Sequence, residues 1–229
     1  MNIDFSNDDI KEVYELQKIF LITLIDIIGS KDYDTGENIR RTAEYIKILA
    51  NELLEEGIYS DIIDERYIKN LVLAAPLHDI GKINTPDNIL NKVGKLSDSE
   101  FQTMQDHTVV GGYIIQRIID KLPENSKFLD VLKMAHDIAL YHHEKWNGKG
   151  YPDGLSEYEI PLSARLMAVA DVFDALTSNR SYKKAFSFDE SYNIILKESG
   201  KHFDPLNIKV FSKENTREKI RVLSAKNNI

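Results

Sequence analysis

Apolar side chains recur at intervals of three and four along most of this chain, the spacing that lines one face of an α-helix. This pattern predicts helices over residues 36–56, 64–75, 128–141, 161–177, 188–198 and 205–211. The capping box of Ser97 and Glu100 opens a further short helix, and another runs from about His107 to Leu122. Apart from one short hairpin near Tyr158, no alternating run predicts strands. The fold is therefore predicted to be all-α.

Residues 1–30 predict one more helix, with apolar positions at helical spacing from Val13 to Ile28 and a stop at Gly29. Nearly all of Ile19–Ile28 is apolar, so this helix is expected to pack on two sides, inside the domain or against a second copy of the chain. A homodimer through this helix is one expectation. The same run is too short to span a bilayer, and the acidic start MNIDFSNDDIKE does not read as a signal peptide.

Composition narrows the classes of partner and site. The net charge is −8, so the chain offers no basic surface for duplex DNA or RNA. Cysteine is absent, which excludes disulfides, zinc–thiolate sites and cysteine nucleophiles and is typical of a protein from the reducing cytoplasm. A hydrophobic content of 42% over 229 residues suffices for one large globular domain. An anionic substrate would need local positive charge, which bound metal ions can supply.

The stretch LHDIGK organises the candidate chemistry. It places His78 beside Asp79, with Lys82 three positions later. A neutral ring nitrogen and a carboxylate from adjacent positions suit a borderline or hard divalent metal. Pro76 disturbs the preceding helix just before this pair, so both side chains can point into one cavity. An ordinary helix end with a hydrogen-bonded histidine would explain the dipeptide equally well.

Further ionisable residues fall at the ends or inside of predicted buried helices. His142 and His143 end one helix, His107 begins another, and Asp171 lies inside the apolar run MAVADVFDAL. Each residue alone is more often a satisfied core histidine or a capping aspartate. Burying several ionisable groups together is costly unless they are paired or bound to a metal. The set as a whole is therefore interpreted as a cage for two cations, with Asp79 able to bridge them.

The segment NGKGYPDGL, residues 147–155, holds three glycines and a proline, so it predicts a loop whose backbone approaches another group closely. Together with other segments it resembles the HD-GYP family, a subclass of the HD phosphohydrolase superfamily. The matching segments are HDIGK (78–82), HHEKWNGKGYPDGL (142–155), DVFDALTSNRSYKKA (171–185) and HFDP (202–205). The resemblance implies an HD-domain helical bundle over residues 31–211, preceded by the N-terminal helix and followed by a polar tail over 212–229.

The resemblance also implies a bacterial signalling hydrolase. Members of the family hydrolyse cyclic di-GMP to linear pGpG or to GMP with two divalent ions, most often iron or manganese, and a bridging hydroxide. The residues that match the family's metal ligands are His78, Asp79, His107, His142, His143 and Asp171. Lys82 matches the family's catalytic lysine, so Lys82 and Asp79 are expected to be the catalytic residues. Lys82, Tyr151, Arg180 and Lys183 match positions that hold the substrate.

Elementary chemistry agrees with these implied roles. Two metal ions about 3.5 to 4 Å apart lower the pKa of a shared water and neutralise charge on the phosphoryl oxygens. An ammonium one helical turn beyond His78, at Lys82, could reach the leaving oxygen or the phosphate. Arg180 and Lys183 are three residues apart, so they share a helix face and could hold the second phosphate.

One segment departs from the family pattern. Where family members usually carry glutamate and histidine, this chain has Asp34 and Asn38 in DYDTGENIRR. Those two positions contribute a third metal site in some members. Aspartate is shorter and the asparagine amide is a poor ligand, so a binuclear centre is expected, with Asp34 as a weak third-metal position or a helix N-cap.

Two alternatives to a cyclic di-GMP phosphodiesterase remain at this point. A catalytically weak domain could bind a cyclic dinucleotide or a protein partner without turnover, which the Asn38 substitution favours. A phosphohydrolase of another cyclic dinucleotide would use the same ligands, and substrate profiling separates it from the first function.

Overall fold

The structure is a computed structural model that describes residues 38–179 and 184–226. These residues form nine α-helices: α1 (Asn38–Glu55), α2 (Glu65–Ala74), α3 (Asp87–Leu90), α4 (Asp98–Ile119), α5 (Leu129–Tyr141), α6 (Leu162–Thr177), α7 (Phe188–Lys197), α8 (Pro205–Phe211) and α9 (Glu214–Lys226). Short 3-10 turns lie at Ala75–Leu77, Ile80–Asn84 and Glu157–Glu159. The described residues contain isolated bridges but no named strand, and one bridge pairs Asn147 with Ser156 across the glycine-rich loop. The predicted all-α fold with at most a short hairpin near this loop is confirmed.

Helix α6 forms the centre of the bundle, because its nearly apolar sequence can be buried on every side. Helix α1 packs against α6, and the ring of Tyr45 meets the edge of Phe173 with their centroids 5.3 Å apart. Phe211 of α8 contacts the same Phe173 ring at 5.7 Å. Helices α4 and α5 pack closely on each other, and α5 also contacts α2 and α6. The core therefore holds α6 in place beside the helices that carry the histidines.

Helix α4 is one continuous helix of 22 residues, so the prediction of a short helix followed by a second one from about His107 was wrong. The capping box of Ser97 and Glu100 does open it, as predicted. No proline or glycine between Phe101 and Asp106 interrupts the helix, and propagation costs less than a new nucleation. Among the described helices, including this long one, none combines the length and the apolar character needed to cross a membrane.

The structure describes the segment that follows the predicted domain, up to residue 226, but not the segment that precedes it. The predicted N-terminal helix, and with it the predicted dimer contact, lies outside the described residues. Within the segment predicted as a polar tail, α9 packs against α1 and α8. The carboxylate of Glu52 in α1 is fully buried there and accepts hydrogen bonds from Lys213, Asn215 and Lys219. A buried charge that is paired this way attaches α9 to the domain.

Gly81 lets the backbone that follows Asp79 lie directly against the backbone of α4. A Cβ added at Gly81 would overlap the carbonyl oxygen of His107 and lie 2.5 Å from the amide nitrogen of Gly111. The 3-10 turn that follows Asp79 therefore rests directly on the backbone of α4. Only glycine fits, since the obstructing atoms belong to a helical backbone that cannot move aside.

Replacing Gly81 by alanine should destabilise the fold by about 3 kcal/mol or more, because overpacking at this site has to separate two backbones. Denaturant unfolding measures the change. Gly112→Ala is the matched control, since its Cβ would meet only side-chain atoms of Leu140 and His136 at 3.3 Å or more. Equal destabilisation by both substitutions would contradict the proposed role of this crossing.

Candidate metal centre

The adjacent side chains of His78 and Asp79 enter one cavity because the helix before them ends. Pro76 lies in the 3-10 turn Ala75–Leu77, which follows α2 directly. Asp79 then separates this turn from the next one, with φ −100° and ψ 12°. Both side chains are buried, His78 completely. The break in regular helix predicted from Pro76 thus places the two side chains beside each other.

Two more histidines approach the same carboxylate, from α4 and from the end of α5, and His143 lies beside them. The Nε2 atoms of His78, His107 and His142 lie 3.1, 3.4 and 3.9 Å from oxygens of Asp79. The His143 ring lies 4.0 Å from that of His142, centroid to centroid. Ligand atoms of His107, His142 and His143 all lie within 4.8 Å of one another. This cluster could hold a metal ion.

Backbone carbonyls fix the orientation of three of these rings. The Nδ1 atoms of His78, His107 and His142 lie 2.9, 2.6 and 2.9 Å from the carbonyl oxygens of Ala75, Met104 and Ile138, respectively. A neutral ring that donates Nδ1–H presents the lone pair of Nε2. All three Nε2 atoms are buried, and within the described residues none makes a hydrogen bond. Orphaned ring nitrogens aimed at one carboxylate are the donor set that a divalent metal needs.

The electrostatics of the cluster favour neutral rings around a charged carboxylate. Burial lowers the pKa of His107 and of His143, and lowers the pKa of His142 to about 3. Burial acts in the same direction on His78, but the neighbouring Asp79 carboxylate raises its pKa above the ordinary value. Burial opposes ionisation of Asp79, yet Lys82 and His78 hold its pKa well below the ordinary value. At neutral pH three of the rings are therefore ready to coordinate a cation.

Other residues predicted for the site lie at its edge. The Lys82 ammonium lies 2.8 Å from Oδ2 of Asp79 and is partly exposed. Besides burial, the negative charge of Asp171, in α6, acts to raise the pKa of both His78 and Tyr151. The Tyr151 ring lies over His143 with the centroids 4.9 Å apart. Asp34, Arg180 and Lys183 lie outside the described residues, so their predicted roles stay predictions.

Sequence reasoning missed two neighbours of this site. Glu144 follows the two histidines and is buried, with one oxygen bonded to the backbone of the glycine-rich loop. Its only sequence signal is a charged residue next to predicted ligands. Phe101, in the first turn of α4, meets the edge of Tyr151 at 6.3 Å and is 48% exposed. An exposed phenylalanine carries no signal by itself, because apolar side chains are common on protein surfaces.

Comparison with known proteins identifies the family. A family model described as an HD domain matches residues 23–206. The chain belongs to the HD-domain family. Its GYP segment and its relatives place it in the HD-GYP subclass, so the resemblance seen in the sequence is confirmed. HD-domain phosphohydrolases depend on metals, in agreement with the histidine cluster.

The relatives are longer proteins. A cyclic di-GMP phosphodiesterase of Vibrio cholerae serotype O1 is 45% identical over 200 residues, which cover 87% of this chain and 40% of that protein. A 3′3′-cGAMP-specific phosphodiesterase of the same organism is 37% identical over 194 residues, which cover 85% and 34%. The HD-GYP domain thus spans less than half the length of these two relatives. A solved HD-GYP protein from Bdellovibrio bacteriovorus shares the fold, with a TM-score of 0.52 at 22% identity over 86% of this chain and 54% of that one.

The HFDP motif of this HD-GYP domain anchors the segment that follows the histidines. The carbonyl oxygen of His202 accepts a hydrogen bond from the Trp146 amide at 3.0 Å. Asp204 pairs with the buried Arg165, and both contact the hydroxyl of Tyr59. The His202 ring is stacked on Phe203, and burial together with Lys145 lowers the pKa of His202 to about 4. The motif therefore holds the segment at the start of the glycine-rich loop. Its histidine is neutral at pH 7.

His202 should make the folded domain less stable in mild acid. Between pH 6.5 and about 4 the unfolded chain protonates this histidine and the folded chain does not, so the free energy of unfolding falls as pH falls. His202→Gln should reduce this loss by on the order of 1 to 3 kcal/mol. Urea unfolding at pH 7.5 and pH 4 measures the difference, and the comparison at pH 7.5 corrects for any change in packing. An unchanged loss of stability in the variant would contradict the assignment.

Proposed function

We propose that this HD-GYP domain hydrolyses cyclic di-GMP to linear pGpG, to GMP or to both, with two divalent metal ions in its histidine and aspartate cluster. The names of its relatives support the substrate, and the donor set described above supports the metals. Iron and manganese are the ions we expect, since imidazole suits iron and carboxylate suits manganese.

The observation that carries this proposal is the position of the Asp79 carboxylate between two groups of side chains. Oδ2 faces His78 and Lys82, whereas Oδ1 faces His107 and His142. A carboxylate with candidate ligands on both sides is suited to bridge two ions. We assign one ion to the side of His107, His142 and His143. We assign the other to the side of His78 and Asp171.

Each residue then has a definite task. Two bound ions would supply a nucleophilic water at neutral pH and would neutralise charge that develops on the phosphoryl oxygens. Asp79 lies between the two groups of ligands, so its carboxylate could contact an ion on either side. The Lys82 ammonium is paired with Asp79 and partly exposed, so in this proposal it can bind a phosphate oxygen or stabilise the leaving oxygen.

Substrate contacts are assigned to the rim of the site. Tyr151 lies over His143 and offers a ring face or edge and a hydroxyl to the nucleotide. We assign Arg180 and Lys183 to the phosphate that does not react, on the basis of their match to the family motif. We assign no third metal ion, because Asp34 is short and the amide of Asn38 binds metals weakly.

A second candidate function is hydrolysis of a different cyclic dinucleotide. The relative that is 37% identical is named for 3′3′-cGAMP, so closely similar domains act on different bases. The metal cluster would be the same for both substrates, since it acts on the phosphodiester and not on the base. Parallel assays with both dinucleotides separate these functions.

His142→Ala should lose about one metal ion per chain, because the ion beside His107, His142 and His143 then keeps only two of its three histidine ligands. Elemental analysis of protein purified with manganese or ferrous iron measures the content. His136→Ala is the control, since His136 is partly exposed and contacts the carboxylate of its neighbour Asp137. Equal metal content in both variants would contradict the ligand assignment.

Asp79→Asn should lower turnover of cyclic di-GMP at least about a hundredfold, because the amide cannot bridge two cations. Chromatography of the nucleotide products measures turnover by the metal-loaded protein. Gln102→Ala, an exposed change on α4, should retain wild-type activity. If the loaded wild type and Asp79→Asn both leave cyclic di-GMP and 3′3′-cGAMP intact, the enzymatic proposal fails.

A further inference from the structure

The Glu144 side chain connects the metal cluster to the glycine-rich loop. It is 2% exposed and follows His143 directly in the sequence. Its Oε1 atom accepts hydrogen bonds from the backbone N–H groups of Asp153 at 2.8 Å and Gly154 at 2.9 Å. Two amide donors on one carboxylate oxygen form a charge-assisted contact, which is shorter and stronger than a bond between neutral groups.

The loop also touches the backbone on either side of Glu144. A Cβ on Gly150 would overlap the Cα of Glu144 and the backbone nitrogen of Lys145, so the loop backbone lies flat against this segment. The Tyr151 amide donates to the His143 carbonyl oxygen at 3.3 Å. The loop is therefore attached to residues 143–145 on both sides of Pro152. Before it, Gly148 and Tyr151 donate to the carbonyl oxygens of Lys145 and His143, and after it Asp153 and Gly154 donate to Glu144.

We propose that Glu144 is a positioning residue that sets the Tyr151 ring against His143 and so shapes the substrate side of the metal centre. This inference rests on the proposed function, because it gives Tyr151 a contact with the nucleotide. Without the carboxylate, both bonds after Pro152 are lost. The loop keeps the bond from Gly148 to Lys145 and the 3.3 Å amide bond of Tyr151, both of them before Pro152. The ring then loses its fixed position over His143 while the metal ligands remain.

Amide hydrogen exchange tests the first half of the proposal without substrate. Glu144→Ala should raise the exchange rate of Asp153 and Gly154 at least about tenfold, because their acceptor is removed. The Glu144→Gln variant keeps an oxygen that can accept both bonds, so exchange should stay within about threefold of wild type. Trp146, the single tryptophan of the chain, lies next to this segment, and its fluorescence reports the same change. Unchanged exchange in Glu144→Ala would overturn the proposal.

A double-mutant cycle tests the second half on the metal-loaded protein. Glu144→Ala should lower kcat/KM for cyclic di-GMP at least about tenfold, mainly through KM, because Tyr151 is misplaced and the metals are retained. In a Tyr151→Ala background the same change should cost less than about twofold, since the residue it positions is already gone. If Glu144→Ala lowers kcat/KM by the same factor with and without Tyr151, the proposed coupling between the two residues is wrong.

Two controls separate positioning from a general loss of structure. Glu159→Ala removes a carboxylate that bonds the Ser156 amide and hydroxyl at the far end of the same loop, away from Tyr151. It should leave KM unchanged. If Glu144→Ala fails to fold, Glu144→Gln decides the proposal. This variant must then show wild-type amide exchange at Asp153 and Gly154 and a wild-type KM for cyclic di-GMP. A wild type that cleaves no cyclic dinucleotide would overturn the proposed function, whereas the exchange measurement would still decide whether Glu144 holds the loop.

Discussion

The burial of the Asp79 carboxylate is the interaction on which this structure depends. A charge removed from water is costly unless positive charge and polar atoms surround it. Here a lysine 2.8 Å away and the Nε2 atoms of three histidines surround it. The rings that are kept neutral by burial cannot balance the charge by themselves. Ring nitrogens without hydrogen-bond partners around an ionised carboxylate form a cluster that could hold a metal ion.

The bundle brings these side chains together because glycines let two backbone segments come into direct contact. Gly81 lets the turn after Asp79 rest on the backbone of α4, and Gly111 lies on the other side of the same crossing. Helix α4 then carries His107 to the carboxylate, while α5 ends where His142 and His143 can reach it. The separation of the ligands is therefore set by backbone contacts, which deform less than side chains.

The glycine-rich loop beside the histidine cluster is held differently, by polar contacts. Glu144 bonds the loop from within, and the HFDP motif supports its base through the His202 carbonyl and the pair of Asp204 with Arg165. The histidine cluster is therefore positioned by packed helices, whereas the neighbouring loop is attached separately by polar contacts.

The sequence alone determined the helical class, most helix positions and the candidate ligands, because periodicity, caps and motif spacing are local properties. It missed the continuity of α4, since a capping box marks a start but nothing in that stretch marks an end. Only the tertiary structure decided that Asp79 lies between His78 and His107, that Gly81 needs its missing side chain, and that Glu144 bonds the loop. Such contacts join residues distant in the chain, and their distances follow from how the helices pack.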